Sequence, residues 1–191
     1  MELLATRIPT SPPVIAPLPN ASKRPLWSVM IPTYNATAYL ADAIRSILAQ
    51  DMGAEYMQIE VVDDASTDAD VAQLVSELGQ GRVQYFRQPT NVGSLRNFET
   101  CLNRSRGQLI HLLHGDDRVV PGFYARLTQL AQQYPEAGAF FSSYASINEA
   151  GHRVYAPEPL PEQGILPNWL VRIAERQYIQ YASIAVRREV P

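Results

Sequence analysis

At 191 residues the chain is long enough for one sizeable domain with its own core, and 46% hydrophobic with 18% charged residues is the balance of an ordinary globular protein. A formal charge of −3 argues against nucleic-acid binding, which needs a concentrated basic face. A lone cysteine, Cys101, excludes an internal disulfide and speaks against a cysteine-built zinc site.

No apolar run approaches the ~20 residues of a bilayer span, and the N-terminus lacks the basic start and long apolar stretch of a signal peptide. With the single cysteine, these features predict a cytoplasmic setting. Lys23 is the only lysine, so anion-binding chemistry beyond it must use arginine, backbone N–H groups or a metal.

Residues 1–25 read as a disordered tail. Pro9, Pro12, Pro13, Pro17, Pro19 and Pro25 each fix φ and remove a donor. Residues 26–191 read as one domain. Val29, Met30 and Ile31 form an apolar run ended by Pro32, a buried strand. Ala38–Gln50 carries Leu40, Ala43, Ile44, Ile47 and Leu48 at helical spacing. Ile59, Val61 and Val62 make a second strand ending at Asp63-Asp64. Val71, Leu74, Val75 and Leu78 give a second helix closed by Gly79. Val83–Arg87 is a third strand, and Leu95–Asn103 a third helix with Phe98, Cys101 and Leu102 on one face. Leu109–Leu113 is a fourth strand leading into His114-Gly115-Asp116-Asp117. A fourth helix starts near Pro121, and Ala139–Ser146 is a fifth strand. Beyond it the spacing predicts a hairpin joining Ile147 and Val154, a loop over 157–164, a short helix over Leu170–Ala174 and a last strand within Tyr178–Arg187.

Four βα units in succession predict an α/β fold, a mostly parallel sheet with helices on both faces. Ligands of such sheets sit at the carboxyl ends of the strands. Here those ends read Pro32-Thr33-Tyr34-Asn35, then Asp63-Asp64-Ala65-Ser66-Thr67-Asp68, then Asn91-Val92-Gly93 with Arg96-Asn97, then Gly115-Asp116-Asp117. Polar and acidic groups from four strands thus share one rim. Adjacent carboxylates repel unless a cation or donor-rich ligand offsets them. At Asp116-Asp117 that offset is a divalent metal of the oxygen-seeking kind, Mg²⁺ or Mn²⁺, which bridges carboxylates to substrate phosphates. Asp64 can accept a hydrogen bond from a nucleobase, Tyr34 can stack on it, and Arg96 is the best side-chain cation to assist the metal, or a contact to the base.

The four strand ends, taken in order, resemble the motifs of family 2 glycosyltransferases over about residues 27–190. The resemblance implies the A-type glycosyltransferase fold, Rossmann-like, of the nucleotide-diphospho-sugar transferases. It implies an inverting transfer of a sugar from a nucleoside-diphosphate donor, often a UDP-sugar, to an acceptor hydroxyl in cell-surface polysaccharide or glycan synthesis. By position, Pro32, Thr33, Tyr34, Asn35, Asp64, Asn91, Arg96 and Asp116 would hold the donor, and Asp116 and Asp117 the metal. The family's habits add a glycan or lipid-linked acceptor and peripheral contact with the inner face of the membrane.

This chain departs from the pattern twice. His114 stands where many members carry an acidic residue, so metal binding rests on Asp116 and Asp117 or is joined by His114. The base that deprotonates the acceptor usually lies beyond a segment like Tyr178–Pro191, and Glu175 and Glu189 fit no motif for it. The expectation is a chain that either stops before its base, with the acceptor part incomplete, or is a degraded member of the family.

Each motif also has a plainer reading. Asp63-Asp64 would serve as a solvated turn and Asp116-Asp117 as a helix cap. His111 and Cys101 read as core residues, and Tyr34 as loop packing. A phospho-receiver signalling module is also a parallel α/β domain with an acidic pair, but it needs a lysine at a later strand end. A non-catalytic nucleotide-sugar-binding domain differs only in turnover. A dinucleotide-dependent oxidoreductase lacks its Gly-x-Gly-x-x-Gly loop after the first strand.

Overall fold

Strict alternation along the central strands builds two cores on one sheet. In the computed structural model, which describes residues 9–18, 23–160, 163–175 and 177–189, β1 spans Trp27–Thr33 and β2 spans Met57–Asp63, both wholly buried. Val29, Ile31, Ile59 and Val61 face a large core, whereas Met30, Val62 and Ile110 face a smaller one on the opposite side. The large core is closed by α1 (Thr37–Leu48), α2 (Val71–Gly79) and α4 (Phe123–Gln133), the small one by Cys101 of α3 (Ser94–Arg104).

The six-stranded sheet runs in the order β3 (Gln84–Arg87), β2, β1, β4 (Leu109–Leu112), β8 (Ile184–Arg187), β5 (Ala139–Phe141). The first four strands are mutually parallel, and β8 is antiparallel to both its neighbours. The expected mostly parallel α/β sheet with helices on both faces is therefore present.

Several boundaries differ from the sequence reading, each for a physical reason. Pro32 does not end β1, which continues to Thr33 beside Val62 and Asp63. The Pro32 carbonyl accepts from Gly115 N. The missing donor faces the same way, past the end of β4, where no ladder needs it. Gly79 is the last residue of α2, and Gln80 takes the left-handed position after it (φ 45°). The expected strand Ala139–Ser146 is broken: β5 stops at Phe141, and Ser146-Ile147 pairs as β6 with β7 (Arg153–Tyr155) in a separate hairpin. Only Ile184–Arg187 of the segment 178–187 is extended, because Tyr181–Ser183 winds into a 3₁₀ turn. The short helix α5 spans Trp169–Glu175.

Of the proline-rich stretch, residues 1–8 and 19–22 lie outside the described residues. Residues 9–18 carry no helix or strand but lie along α3, where Val14 N donates to Glu99 and Ala16 N to Asn103, both at 2.8 Å. No helix among the described residues is long and apolar enough to cross a membrane.

Candidate functional site

The ends of β1, β2 and β4 are tied into one rim by their own polar side chains. Asn35, held at φ 49°, donates its N–H to Ser66 Oγ and accepts Thr67 N at its Oδ1 (2.7 Å). Asp68 accepts from Thr37 N and so caps α1 from the neighbouring loop. Asp63 is fully buried: Ser66 N and the Tyr85 hydroxyl donate to it, and Arg87 forms an ion pair with it. The first aspartate of the Asp63-Asp64 doublet is thus a framework residue.

Asp64 is 2% exposed and accepts Val92 N (2.7 Å) and Gly93 N (2.9 Å), one on each carboxylate oxygen. Asn91 donates to the Asp64 carbonyl. Gly93 holds φ 85° as it leads into α3, a conformation that costs glycine little and other residues more. Two predicted donor contacts, Asp64 and Asn91, therefore clasp each other across the β2 and β3 ends. Tyr34 sits on the rim with 44% of its surface exposed. Arg96 pairs with Glu99, one turn along α3, and donates to Ser11 of the proline-rich segment. Nothing in the order of residues predicts this contact.

At the end of β4 the chain turns on a hydrogen bond from Asp117 N to the His114 carbonyl. The turn gathers His114, Asp116 and Asp117 so that one ligand atom from each lies within 4.8 Å of the others. Gly115 is needed at its centre, because a Cβ there would lie 2.7 Å from Thr33 Oγ1. The Asp117 carboxyl is raised above the ordinary carboxylate range by burial and by the neighbouring charge of Asp116, with His114 opposing. The negative charge here is under-compensated by the protein itself.

Two buried side-chain polar atoms among the described residues have no hydrogen-bond partner, and both belong to this site: Thr33 Oγ1 and His114 Nε2. A mixed set of two carboxylates and an imidazole, with under-compensated negative charge and orphaned polar atoms, fits a divalent cation.

Around His114 the structure places rings that the sequence reading did not connect with it. Phe98 of α3 stacks on the imidazole at 5.1 Å between centroids, and Tyr181 at 5.5 Å. Phe98 had the spacing of a core residue, and nothing in the order of residues brings position 181 to position 114. His111, by contrast, is the core histidine expected. It is fully buried, with Nδ1 3.1 Å from the Tyr124 hydroxyl and Nε2 3.2 Å from the Ala182 carbonyl. Neither Glu175, exposed on α5, nor Glu189, paired with Arg24, belongs to this cluster.

Comparison with known proteins bears on the family and the fold. The chain is 29% identical over 175 residues to an N-acetylglucosaminyltransferase of Mesorhizobium japonicum, covering 90% of this chain and 37% of that protein. It spans little more than a third of the length of the curated relatives it matches first. The fold is shared with S. aureus TarS 1-349, solved in complex with UDP-GlcNAc (TM-score 0.53, 22% identity, 57% of this chain and 32% of that one). It is shared too with the mannosyltransferase PcManGT of Pyrobaculum calidifontis, solved with GDP-Man and Mn²⁺ (TM-score 0.54, 23% identity, 68% and 38%). The family description "Glycosyl transferase family 2" matches residues 28–187, and with more than half of its length so matched, the chain belongs to glycosyl transferase family 2.

Proposed function

We propose that this chain is the donor-binding part of an inverting, metal-dependent glycosyltransferase that uses a nucleoside-diphosphate sugar, a UDP-sugar in the first instance. The observation that carries the reading is the under-compensated cluster of His114, Asp116 and Asp117 on the same rim as Thr33, Tyr34 and the Asp64–Asn91 clasp. The relative named for N-acetylglucosaminyl transfer and the TarS complex with UDP-GlcNAc support the donor class. The PcManGT complex with Mn²⁺ supports the metal.

In this reading Tyr34 stacks on the base, and the clasped loop 91–93 walls the site beside it. Asp116 and Asp117 hold Mn²⁺ or Mg²⁺, which when bound offsets the charge of the leaving diphosphate. Arg96 reaches the donor only by giving up Glu99 and Ser11. The acceptor hydroxyl loses its proton to a base that we assign to none of the described residues. General-base help of this kind contributes roughly 10²–10⁴-fold, so the chain should bind donor far better than it transfers sugar. A glycan or lipid-linked acceptor at the cytoplasmic face of the membrane completes the proposal.

Calorimetric titration with UDP, GDP and dTDP, with and without Mn²⁺, tests it. One diphosphate, UDP first, should bind more tightly with metal present. Asp117→Ala should abolish the enhancement while the far-UV circular dichroism stays that of the parent. Equal binding by the variant in Mn²⁺ would overturn the site assignment.

A further inference from the structure

The acidic pair of the β4 turn accounts for two oxygen donors, but it leaves His114 unexplained. Its ring is held from two directions. Phe98 comes from α3 and Tyr181 from the 3₁₀ turn ahead of β8, and the planes lie 24° and 25° from that of the imidazole. The two aromatic rings also touch each other, with centroids 6.2 Å apart. Offset rings at such separations attract one another, so the plane of the imidazole is held. Holding it this way leaves Nε2 buried without a partner. A buried, unpaired ring nitrogen costs free energy, and a role in binding an ion is one of the few things that explains such a group in a folded protein.

The second orphan, Thr33 Oγ1 at the end of β1, lies against Gly115, the residue between His114 and Asp116. A ring nitrogen of His114 is within 4.8 Å of the Asp116 and Asp117 oxygens, a span that one ion can bridge by drawing its ligands inward. Nothing else among the described hydrogen bonds engages the imidazole.

We infer that His114 is a ligand of the metal, oriented by Phe98 and Tyr181, and that its nitrogen makes the site prefer Mn²⁺ to Mg²⁺. The inference rests on the transferase reading for the presence of a metal; the ligand set and the preference are additional. Mg²⁺ demands near-octahedral oxygen coordination and keeps its waters. Mn²⁺ shares the preference of Mg²⁺ for oxygen ligands, but as a transition metal it accepts an imidazole nitrogen more readily, so replacing an oxygen donor with nitrogen tilts affinity toward it. An acidic residue in place of His114 would give an all-oxygen site with little such bias.

Pulsed electron paramagnetic resonance on the full chain loaded with Mn²⁺ tests the ligand directly. The parent should show nitrogen coupling to the manganese. His114→Phe, which keeps a ring against Phe98 and Tyr181, should lose the coupling while Asp116 and Asp117 still bind the ion more weakly. By calorimetry, His114→Asp should lower the ratio of Mn²⁺ to Mg²⁺ affinity roughly tenfold, the low end of what altered metal surroundings produce. Manganese bound without nitrogen coupling, or an unchanged ratio in His114→Asp, overturns the inference and leaves the transferase reading standing. A parent chain that binds no Mn²⁺, alone or with UDP, overturns both.

Discussion

The parallel half of the sheet and the segment that follows it use the same apolar residue types and place them oppositely. From Trp27 to Leu113 the large side chains of β1, β2, α1 and β4 are almost all inaccessible. In the later segment Ile147, Val154, Tyr155, Ile165, Trp169, Leu170 and Val171 are exposed, and α5 buries no residue. An open apolar cavity of about 920 Å³ lies between α5, the loop ahead of it, α4 and β5. The rim that gathers the acidic cluster therefore stands on the half whose packing is settled within the chain. Catalytic geometry is best kept where supporting side chains are locked by their own neighbours. The later segment contributes to the site only where it returns to the sheet, through Tyr181 and β8.

One substitution made in both regions breaks or sharpens this contrast most directly. Leu40→Ala empties a fully buried position in α1 and should cost about 2–5 kcal/mol. Leu170→Ala removes the same atoms from a residue 66% exposed and should stay within about 0.5 kcal/mol. Urea unfolding of the two variants decides it. A Leu170 cost close to that of Leu40 would mean that α5 is covered in solution by something the structure does not show.

The seam between the two regions gives the next largest effect. His111 of β4 holds both Tyr124 and the Ala182 carbonyl of the returning segment. Burial lowers its pKa to about 4 from 6.5, with the Ala182 hydrogen bond opposing. The folded state thus keeps His111 neutral in a range where the unfolded chain protonates it. The stability concerned is complete above pH 6.5 and falls as the pH drops from there toward 4. The loss should reach about 2 kcal/mol by pH 5. Unfolding free energies at pH 7.5, 6 and 5 should decline accordingly, and His111→Gln, less stable at pH 7.5, should decline less. Parallel pH profiles for parent and variant would place the acid sensitivity elsewhere.

How far the molecule could be read from its residues follows the same division. Val29, Ile31, Ile59 and Val61 alternate with Met30 and Val62, and Leu40, Ala43, Ile44 and Ile47 follow a helical period. Each pattern has one way to bury itself, so the parallel sheet and the position of its polar rim were legible. Asp116 and Asp117 were legible as a cluster because both leave the same strand end. Residues joined by tertiary contact alone were not. No local pattern tells that Asp63 is consumed by Tyr85 and Arg87, that Asp64 clasps Val92 and Gly93, or that Phe98 and Tyr181 meet at His114. The break after Phe141 was less plain, because Ser142 to Ser146 holds no glycine or proline to mark it.

The proline-rich segment is a third kind of region, ordered by hydrogen bonds with little apolar burial, and it should show the smallest effect. Asn103 of α3 donates to the Val14 carbonyl (2.9 Å) and accepts Ala16 N (2.8 Å), and Arg188 reaches the Ala16 carbonyl (3.0 Å). All three contacts are exposed, so water replaces them at little loss, and each is worth about 0.5–1.5 kcal/mol at most. Asn103→Ala should leave the global unfolding free energy within about 1 kcal/mol of the parent. The local effect should be larger than the global one, because a segment without a core of its own opens independently of the sheet. Amide exchange at Val14 and Ala16 should therefore quicken in the variant while Val29 and Val61 keep their protection. If Asn103→Ala lowers protection in β1 and β2 as well, the segment is part of the fold's cooperative unit, and the sheet needs more than its own two cores to hold the rim in place.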